Sequence, residues 1–375
     1  MSRAASTLRA RHAVRRLSSS SSASSAEAWD VPFHRLQKQR GQHLLTNPRV
    51  LDDIVRRAAI RPGDAVLEVG PGTGNLTARL LASPAARVAA VEIDPRMAAA
   101  VSARAAALGL SHKLTVTTGD AMEVEFPEFD VCVSNIPYAI SSPLIAKLLF
   151  GAYRFRAATL LVQREFARRL VGAPGHGERN HLATNARLVA DVTLLMDVSK
   201  AEFVPVPGVD SSLVEIRMKE EDRPAEVEPG IGLDEWLEFT RVCFGQHQLQ
   251  QRRRRQKKKR WKEKTLGTIF KKEEIAMELF RLSRRAEERD GSGPVGGGSD
   301  VPRHDGDDVG DGKEEEDCGE VAYSCFSKEG VVAFKERIAG ALQSARLDKE
   351  RPSRLSNDDL LRLLRLFIKR GVHFH

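Results

Sequence analysis

The tetrapeptide Asn135-Ile136-Pro137-Tyr138 combines an amide, a turn-forming proline and an aromatic ring. This combination suits group transfer to an amine on a planar base, because such a nitrogen delocalises its lone pair and is a poor nucleophile. The Asn135 side-chain carbonyl and the Ile136 backbone carbonyl can each accept one N–H, which stabilises the charge developing on nitrogen. Pro137 fixes the turn, and Tyr138 offers a face for stacking the base. A helix-capping turn is the alternative, since Ser-Ser-Pro follows at 141–143.

A second aromatic side chain begins the segment 203–212, which reads FVPVPGVDSS. The two prolines provide no backbone N–H for a β-ladder, so this segment is predicted to be an extended loop. Phe203 could then project over the base opposite Tyr138 and complete a sandwich around it. An ordinary buried phenylalanine is the alternative.

The segment EVGPGTGN at 68–75 places Gly70, Gly72 and Gly74 directly after a short apolar strand. Glycines at a strand-to-helix turn let the backbone approach a ligand closely. A dinucleotide site needs GxGxxG, and the last glycine position of that spacing is Asn75 here. A strand acid followed by GxGxG is instead the pattern associated with S-adenosylmethionine, which carries no phosphate. A plain turn is the alternative.

Two acids follow the next two predicted strands. Glu92 lies 22 residues after Gly70, where a carboxylate can accept from both hydroxyls of a ribose. Asp120 follows the third strand and can accept from the exocyclic amine of an adenine. Each acid alone is more often a solvated loop residue. Because open α/β sheets bind ligands at the carboxyl ends of their strands, the acids in register with the glycine turn predict one pocket.

These residues sit in a region, from Gln42 to about Lys219, that alternates between strand and helix patterns. Strands are predicted at 64–69, 88–93, 114–118, 129–134 and 159–162, and helices at 48–60, 76–81 and about 95–108. Buried apolar runs that alternate with helices are typical of a parallel, doubly wound sheet. The sequence therefore predicts an α/β fold with a Rossmann-like, doubly wound sheet over residues 38–220.

The strand signals fade after Lys219, and helices are predicted at 236–244, 275–282, 331–342 and 358–368. This pattern indicates a smaller C-terminal helical domain over residues 231–375. Two polar stretches interrupt it, one rich in Gln and Arg/Lys at about 245–263 and one rich in Gly and acids at about 290–320. Both are predicted to be disordered loops, because neither can bury enough apolar surface.

The chain has 375 residues, of which 41% are apolar and 29% charged, a composition typical of a globular protein of about two domains. The sequence contains no run of 18 apolar residues, so no membrane-spanning helix is predicted. The four cysteines form no CxxC pair, so neither a disulfide framework nor a zinc ribbon is expected, and no metal site is predicted. The net charge of +8 comes mostly from the first 26 residues and from residues 251–264, so it does not indicate a basic binding face by itself.

Residues 1–26 contain five arginines, many serines and no acid. They lack the continuous apolar run of a secretory signal. This composition is typical of an organellar transit peptide. A disordered basic tail is the alternative.

With these residues assembled, the chain resembles the ribosomal RNA adenine dimethyltransferase family. The motifs that carry the resemblance are RGQHLL at 40–45, EVGPGTGN at 68–75, the Glu92 and Asp120 motifs, NIPY at 135–138, QREFARRL at 163–170 and FVPVPGVDSS at 203–212. The C-terminal stretch 365–375, which ends in GVHFH, looks like the eukaryotic branch of the family. The resemblance is dense over residues 38–220 and patchy elsewhere.

The resemblance implies dimethylation of two adjacent adenosines in the 3′-terminal hairpin of small-subunit rRNA, with S-adenosylmethionine as cofactor and a pre-30S-like ribosomal particle as partner. It implies that the protein is a monomer without a membrane partner. By the same resemblance Asn135, Pro137, Tyr138 and Phe203 serve catalysis. The cofactor is expected to bind Gln42, His43, Leu45, Gly70, Gly72, Glu92, Asp120 and Asn135.

Several alternatives stay open at this point. The chain could be a non-catalytic RNA- or DNA-binding factor on the same fold, or a methylase of DNA or large-subunit rRNA. The basic run within 245–263 departs from the family pattern and fits an rRNA phosphate contact, a nuclear localisation signal or a solvated loop. The leader and the eukaryotic-branch motifs predict a mitochondrial location, with the chloroplast and then the nucleolus as alternatives.

Overall fold

The computed structural model describes residues 43–173, 179–219, 226–245, 264–289 and 328–375. The predicted transit peptide at 1–26 and, apart from Gly245, the loops at 245–263 and 290–320 lie outside the described residues. Within the described ranges, no helix is both long enough and apolar enough to cross a bilayer.

A seven-stranded sheet forms the centre of the N-terminal region. Its strands, in chain order, are β2 (Ala65–Val69), β3 (Arg87–Glu92), β4 (Leu114–Thr118), β5 (Val131–Asn135), β6 (Ala157–Gln163), β7 (Ala190–Val198) and β9 (Ser211–Met218). Their spatial order is β4-β3-β2-β5-β6-β9-β7. A separate pair joins β1 (Leu44–Leu45) to β8 (Phe203–Val204). Every residue of β2 is buried, as expected of a central strand covered on both faces.

Six helices connect or cover these strands: α1 (Pro48–Arg57), α2 (Asn75–Leu81), α3 (Pro95–Ala107), α4 (Ser141–Phe150), α5 (Arg164–Val171) and α6 (His181–Val189). The predicted helix starts at 48 and about 95 are confirmed. The Asn47 and Asp94 side chains cap them, accepting from the N–H groups of Arg49 and Arg96, and a proline follows each cap. Helix α1 ends at Arg57, three residues before the predicted end.

One strand runs against the predicted parallel arrangement. Strand β9 pairs antiparallel with both β6 and β7, so one end of an otherwise parallel sheet is antiparallel. Neither β7 nor β9 was among the strands predicted from the sequence, the last of which was 159–162. The four parallel strands at the other end have their carboxyl ends on one edge.

The C-terminal region consists mainly of helices, namely α7 (Leu233–Cys243), α8 (Leu266–Phe270), α9 (Glu273–Arg289), α10 (Lys328–Ala345) and α11 (Asn357–Ile368). A short ribbon of β10 (Glu226–Glu228) and β11 (Ile231–Gly232) precedes them and was not predicted. The helices enclose an apolar core of their own. The chain end packs into that core, where the Phe374 ring is 1% exposed and contacts Phe239, Phe270 and Phe367.

A buried polar network joins helix α6 to this helical region. Trp236 Nε1 and Thr240 Oγ1 donate to Asn185 Oδ1 at 3.0 and 2.9 Å. Arg179 donates to Leu355 O at 2.6 Å and to the Asn357 side chain. Since unpaired buried polar groups are costly, these bonds fix the orientation in which the helices meet the sheet region.

Candidate active site

A cavity of about 330 Å³ lies at the carboxyl ends of β2, β3, β4 and β5. The chain proceeds from β2 outward to β4 and then returns to the other side of β2 as β5, so the cavity lies where the strand order reverses. Open α/β sheets bind ligands at such a point. The predicted site residues that line it are His43, Leu45, Gly70, Gly72, Glu92, Asp120, Asn135, Pro137, Tyr138 and Phe203. Gln42 lies outside the described residues.

The glycine turn between β2 and α2 forms one wall of the cavity. Gly70, Gly72 and Gly74 have φ of +71°, +58° and +81°, values that favour glycine. A Cβ on Gly72 would lie 2.8 Å from Leu44 Cδ2, and one on Gly70 would lie 3.1 Å from Pro137 Cδ. The turn therefore contacts both β1 and the tetrapeptide, and a side chain at Gly72 would have to displace the Leu44 side chain.

Glu92 ends β3 beneath this turn and is 5% exposed. Its Oε2 accepts the Gly72 N–H and its Oε1 accepts the Asp94 N–H, both at 3.0 Å. Burial raises the pKa of Glu92, and the two backbone donors oppose that rise. Each carboxylate oxygen retains a second lone pair, so the group can accept from a pair of neighbouring hydroxyls.

Asp120 lies in a compact turn after β4. Its Oδ1 accepts the Met122 N–H at 2.8 Å, and its backbone carbonyl accepts from Glu123 and Val124 at 2.9 and 2.8 Å. A Cβ on Gly119 would lie 2.5 Å from Val124 Cγ2, so the turn can close only over a glycine. These contacts direct Asp120 toward the cavity and leave Oδ2 for a ligand.

Asn135 ends β5, opposite the glycine turn. Its Nδ2 donates to the His43 carbonyl at 3.3 Å. His43 is held in turn, since its Nδ1 lies 2.7 Å from Pro205 O. The contact with His43 uses a donor of the Asn135 amide, so the side-chain oxygen remains as the acceptor that chemistry at an amine requires.

The Tyr138 ring is fixed at both ends of the side chain. Its hydroxyl lies 2.7 Å from Ser211 Oγ, and its ring stacks on His43 with centroids 6.2 Å apart and planes 24° apart. Burial raises the pKa of Tyr138, so its hydroxyl is neutral at physiological pH. Ser211 was not singled out from the sequence, because nothing in its local pattern indicates a partner 73 residues away.

Phe203 lines the cavity but is only 1% exposed. It pairs with Leu45 in the β1–β8 ladder and packs into the apolar cluster beneath that pair. Its predicted stacking on a base therefore stays a prediction, one that requires the ring to gain exposure when a base enters.

Glu68 is a cavity residue to which the sequence assigned no role. It is 1% exposed, and among the described residues its Oε2 has no hydrogen-bond partner. Burial is the main cause that raises the pKa of Glu68 to about 8, with a smaller rise from the neighbouring Glu92 and an opposing effect of the Thr77 hydroxyl. The Thr77 hydroxyl is likewise buried without a hydrogen-bond partner in the described part of the chain and acts to lower the pKa of Glu68, so these two polar groups are neighbours behind the cavity wall.

The described residues contain neither a cluster of metal ligands nor an exposed cysteine. No group of three or more His, Cys, Asp or Glu side chains there is placed to hold a metal ion. Cys132 and Cys243 are buried free thiols, and burial raises the pKa of Cys132 to about 12. The cavity instead offers carboxylates, an amide and backbone carbonyls, which bind cations, hydroxyls and amines.

Known proteins share both the sequence and this architecture. A family model described as ribosomal RNA adenine dimethylase matches residues 33–276. The chain is 46% identical over 340 residues, 91% of its length and 81% of the relative's, to an Arabidopsis thaliana protein named ribosomal RNA small subunit methyltransferase, mitochondrial. It is 36% identical to a Schizosaccharomyces pombe dimethyladenosine transferase, covering 96% of this chain and 98% of the relative.

Two solved structures are similar in fold. A Plasmodium falciparum dimethyladenosine transferase is 33% identical with a TM-score of 0.65, covering 88% of this chain and all of the other. The 23S rRNA methyltransferase ErmE has a TM-score of 0.51 at 21% identity, covering 86% of this chain and 98% of the other, which shows likeness of fold alone.

Proposed function

The chain belongs to the ribosomal RNA adenine dimethylase family, and from this premise we propose that it dimethylates two adjacent adenosines in the 3′-terminal hairpin of small-subunit rRNA. Its enzyme class is rRNA adenine dimethyltransferase. The observation that best supports the proposed reaction is the Asn135 amide, which is held by His43 with its oxygen available. The cavity that contains it also presents Glu92 and Asp120.

We propose S-adenosylmethionine as the methyl donor. It supplies a methyl group on a positively charged sulfur, which a nitrogen lone pair can attack. The residues present fit this molecule: Glu92 would accept from its ribose hydroxyls, Asp120 from its adenine amine, and the glycine turn lets the backbone approach closely.

The chain's own groups act on the accepting adenosine. Asn135 Oδ1 and the Ile136 carbonyl would each accept one N–H of the target amine, which favours a more tetrahedral nitrogen and stabilises its developing charge. Tyr138 would stack on the base, with its ring fixed by Ser211. A monomethylated amine retains one N–H for these acceptors, so a second transfer is feasible. A dimethylated amine retains none, and the reaction stops.

Methylation of isolated small-subunit particles by the purified protein tests this proposal. We expect methyl groups from labelled S-adenosylmethionine to appear as dimethyladenosine in the 3′-terminal hairpin, detected by mass spectrometry of RNA fragments. Asn135→Ala should reduce the rate at least about a hundredfold, as loss of one transition-state acceptor does. Asn47→Ala is the matched control, because it removes a helix cap outside the cavity and should cost about 1 kcal/mol of stability with methylation retained. Equal rates for Asn135→Ala and wild type would contradict the assigned role.

We propose the mitochondrion as the compartment. The acid-free, arginine-rich residues 1–26 and the mitochondrial name of the Arabidopsis relative support this location. A second Arabidopsis relative, 38% identical, carries no such word in its name. Fusion of residues 1–40 to a fluorescent protein should direct it to mitochondria, and a diffuse or nucleolar signal would contradict the proposal.

We propose as partner a precursor particle of the small ribosomal subunit, bound by a single copy of the chain without any membrane. In this proposal residues 38–220 form the methyltransferase domain and residues 231–375 the rRNA-binding domain. The separate apolar core of the C-terminal helices and the exposed Arg284 and Arg285 on α9 support the second assignment. Replacing both arginines by glutamine should weaken binding to the particle and flatten its salt dependence.

A further inference from the structure

Lys147 on α4 binds the turn that carries Asp120. Its Nζ donates to three backbone carbonyls of that turn: Ala121 O at 2.9 Å, Met122 O at 3.3 Å and Val124 O at 2.6 Å. An ammonium has three N–H donors and no acceptor, so this contact uses its full hydrogen-bonding capacity.

An aromatic face completes the ammonium site. Lys147 Nζ lies 4.4 Å from the centroid of the Phe126 ring, which is 7% exposed and packs against Tyr153 at 5.1 Å. A cation over such a face gains electrostatic energy, and more so where water is excluded. The site is therefore specific for a compact cation at this position.

The place of Lys147 in the fold connects two walls of the cavity. Helix α4 begins at Ser141, directly after the tetrapeptide and its short 3₁₀ turn at Tyr138–Ile140. Gly119, Asp120 and Ala121 line one wall, and residues 135–140 line another, whereas Lys147 itself does not reach the cavity. Its three hydrogen bonds thus attach the wall that carries Asp120 to the helix that continues from the wall carrying Asn135.

The turn does not need Lys147 in order to close. The Asp120 carboxylate and carbonyl already bind the N–H groups of residues 122–124, and Val124 packs over Gly119. What Lys147 adds is the position of the closed turn relative to α4. Without Lys147, the three half-buried carbonyls that it binds would need water molecules as hydrogen-bond donors.

We infer that Lys147 is a positioning residue for the methyl-donor site, which acts through the 119–124 turn to hold the Asp120 carboxylate against the wall that carries Asn135. This inference rests on the proposed function, since it assigns Asp120 to the donor's adenine. When the contact of Lys147 with the turn is removed, the protein should bind S-adenosylmethionine more weakly, while the rate of methyl transfer should change little.

Lys147→Met keeps the apolar stem of the side chain out to Cε and removes its three N–H donors. We expect its dissociation constant for S-adenosylhomocysteine, measured by calorimetry, to rise about tenfold, because the net contribution of such hydrogen bonds is of that order. At saturating S-adenosylmethionine, kcat should stay within about twofold of wild type. The KM for S-adenosylmethionine should rise instead.

Lys113→Met is the matched control. Lys113 Nζ also donates to backbone carbonyls, Leu81 O at 2.9 Å and Ser83 O at 3.3 Å, but none of these residues lines the cavity. We expect this variant to melt at a lower temperature but to bind S-adenosylhomocysteine as tightly as the wild type. Equal weakening of affinity by both variants would show a general stability effect and overturn the inference.

A double-mutant cycle tests the route through Asp120. If Lys147 acts by holding Asp120, then Lys147→Met should weaken S-adenosylhomocysteine binding less than about twofold in a protein that already carries Asp120→Asn. Additive losses would overturn this route. Lys147→Arg should recover part of the affinity, since it keeps the positive charge and N–H donors in a different geometry.

The outcomes separate the inference from the function on which it rests. If the wild-type protein binds no S-adenosylhomocysteine, the proposed function fails. If the wild type binds it and Lys147→Met binds equally tightly, only the role of Lys147 fails. Should Lys147→Met be insoluble, Lys147→Gln carries the test, because it removes the charge and shortens the side chain, and wild-type affinity in that variant would overturn the inference.

Discussion

Replacing Glu68 by glutamine should change how the stability of the protein depends on pH. The Glu68 carboxyl is fully buried in the cavity wall, and burial raises its pKa from 4.5 to about 8. Below pH 4.5 the carboxyl is protonated in both the folded and the unfolded chain. Between pH 4.5 and 8 the folded chain keeps the proton that the unfolded chain releases, so the wild type loses stability as the pH rises through this window.

The pKa difference sets the size of the effect. Each pH unit in this window changes the free energy of unfolding by about 1.4 kcal/mol for one group. From pH 5 to pH 7.5 the wild type should therefore lose about 3 kcal/mol that Glu68→Gln, which does not titrate, retains. The comparison between two pH values removes any constant cost of placing an amide at this position.

Urea unfolding of both proteins at pH 5 and pH 7.5 measures this difference. Glu68→Gln should gain about 3 kcal/mol on the wild type between the two conditions. Glu123→Gln, at an exposed position, is the matched control and should follow the wild type. Parallel profiles for Glu68→Gln and wild type would refute the reasoning, because they would show that Glu68 is ionised in the folded protein.

Three further predictions concern the cavity and its surroundings. Glu92→Ala should raise the dissociation constant for S-adenosylhomocysteine by at least about tenfold, since two acceptors for the ribose are lost, and unchanged affinity in calorimetry would exclude that role. Phe374→Ala should lower the free energy of unfolding by about 3–5 kcal/mol, because it empties a site enclosed by three rings; a loss below 1 kcal/mol in urea unfolding would show that the chain end does not pack there in solution. Asp64 is buried, which raises its pKa, but its bonds to Arg156 at 3.1 and 2.7 Å outweigh burial and lower the pKa overall. The stability that this carboxylate contributes should be complete above about pH 4 and be lost as the pH falls below it; Asp64→Asn should lack this acid-side loss in thermal melts at pH 3 and 6, and a wild-type-like loss would contradict the assignment.

Local patterns were sufficient to predict the elements that position the site. The helix starts at Pro48 and Pro95 could be predicted because a capping residue and a proline stand together in sequence. Glu92 and Asp120 could be placed in one pocket because each follows a strand, and parallel strands end at one edge. Neither step required knowledge of a distant residue.

Contacts between distant residues could not be predicted in this way. The hydroxyl of Tyr138 meets Ser211 across 73 residues, and Lys147 reaches the Asp120 turn across more than 20. Nothing in the local sequence shows that the Glu68 oxygen lacks a partner. Strand β9 was itself not predicted, and neither was its antiparallel pairing with β6, which lies about 50 residues before it in the chain.

Primer extension across the 3′-terminal hairpin of small-subunit rRNA tests the central claim most directly. Dimethylated adenines cannot pair, so each pair of them stops the polymerase. RNA is taken separately from mitochondria and cytosol of cells with and without this gene. We predict that loss of the gene removes the stop from mitochondrial rRNA alone and that the wild-type gene, but not Asn135→Ala, restores it. Persistence of the stop in both RNAs would contradict the proposed function, and its loss from cytosolic rRNA alone would contradict the proposed compartment.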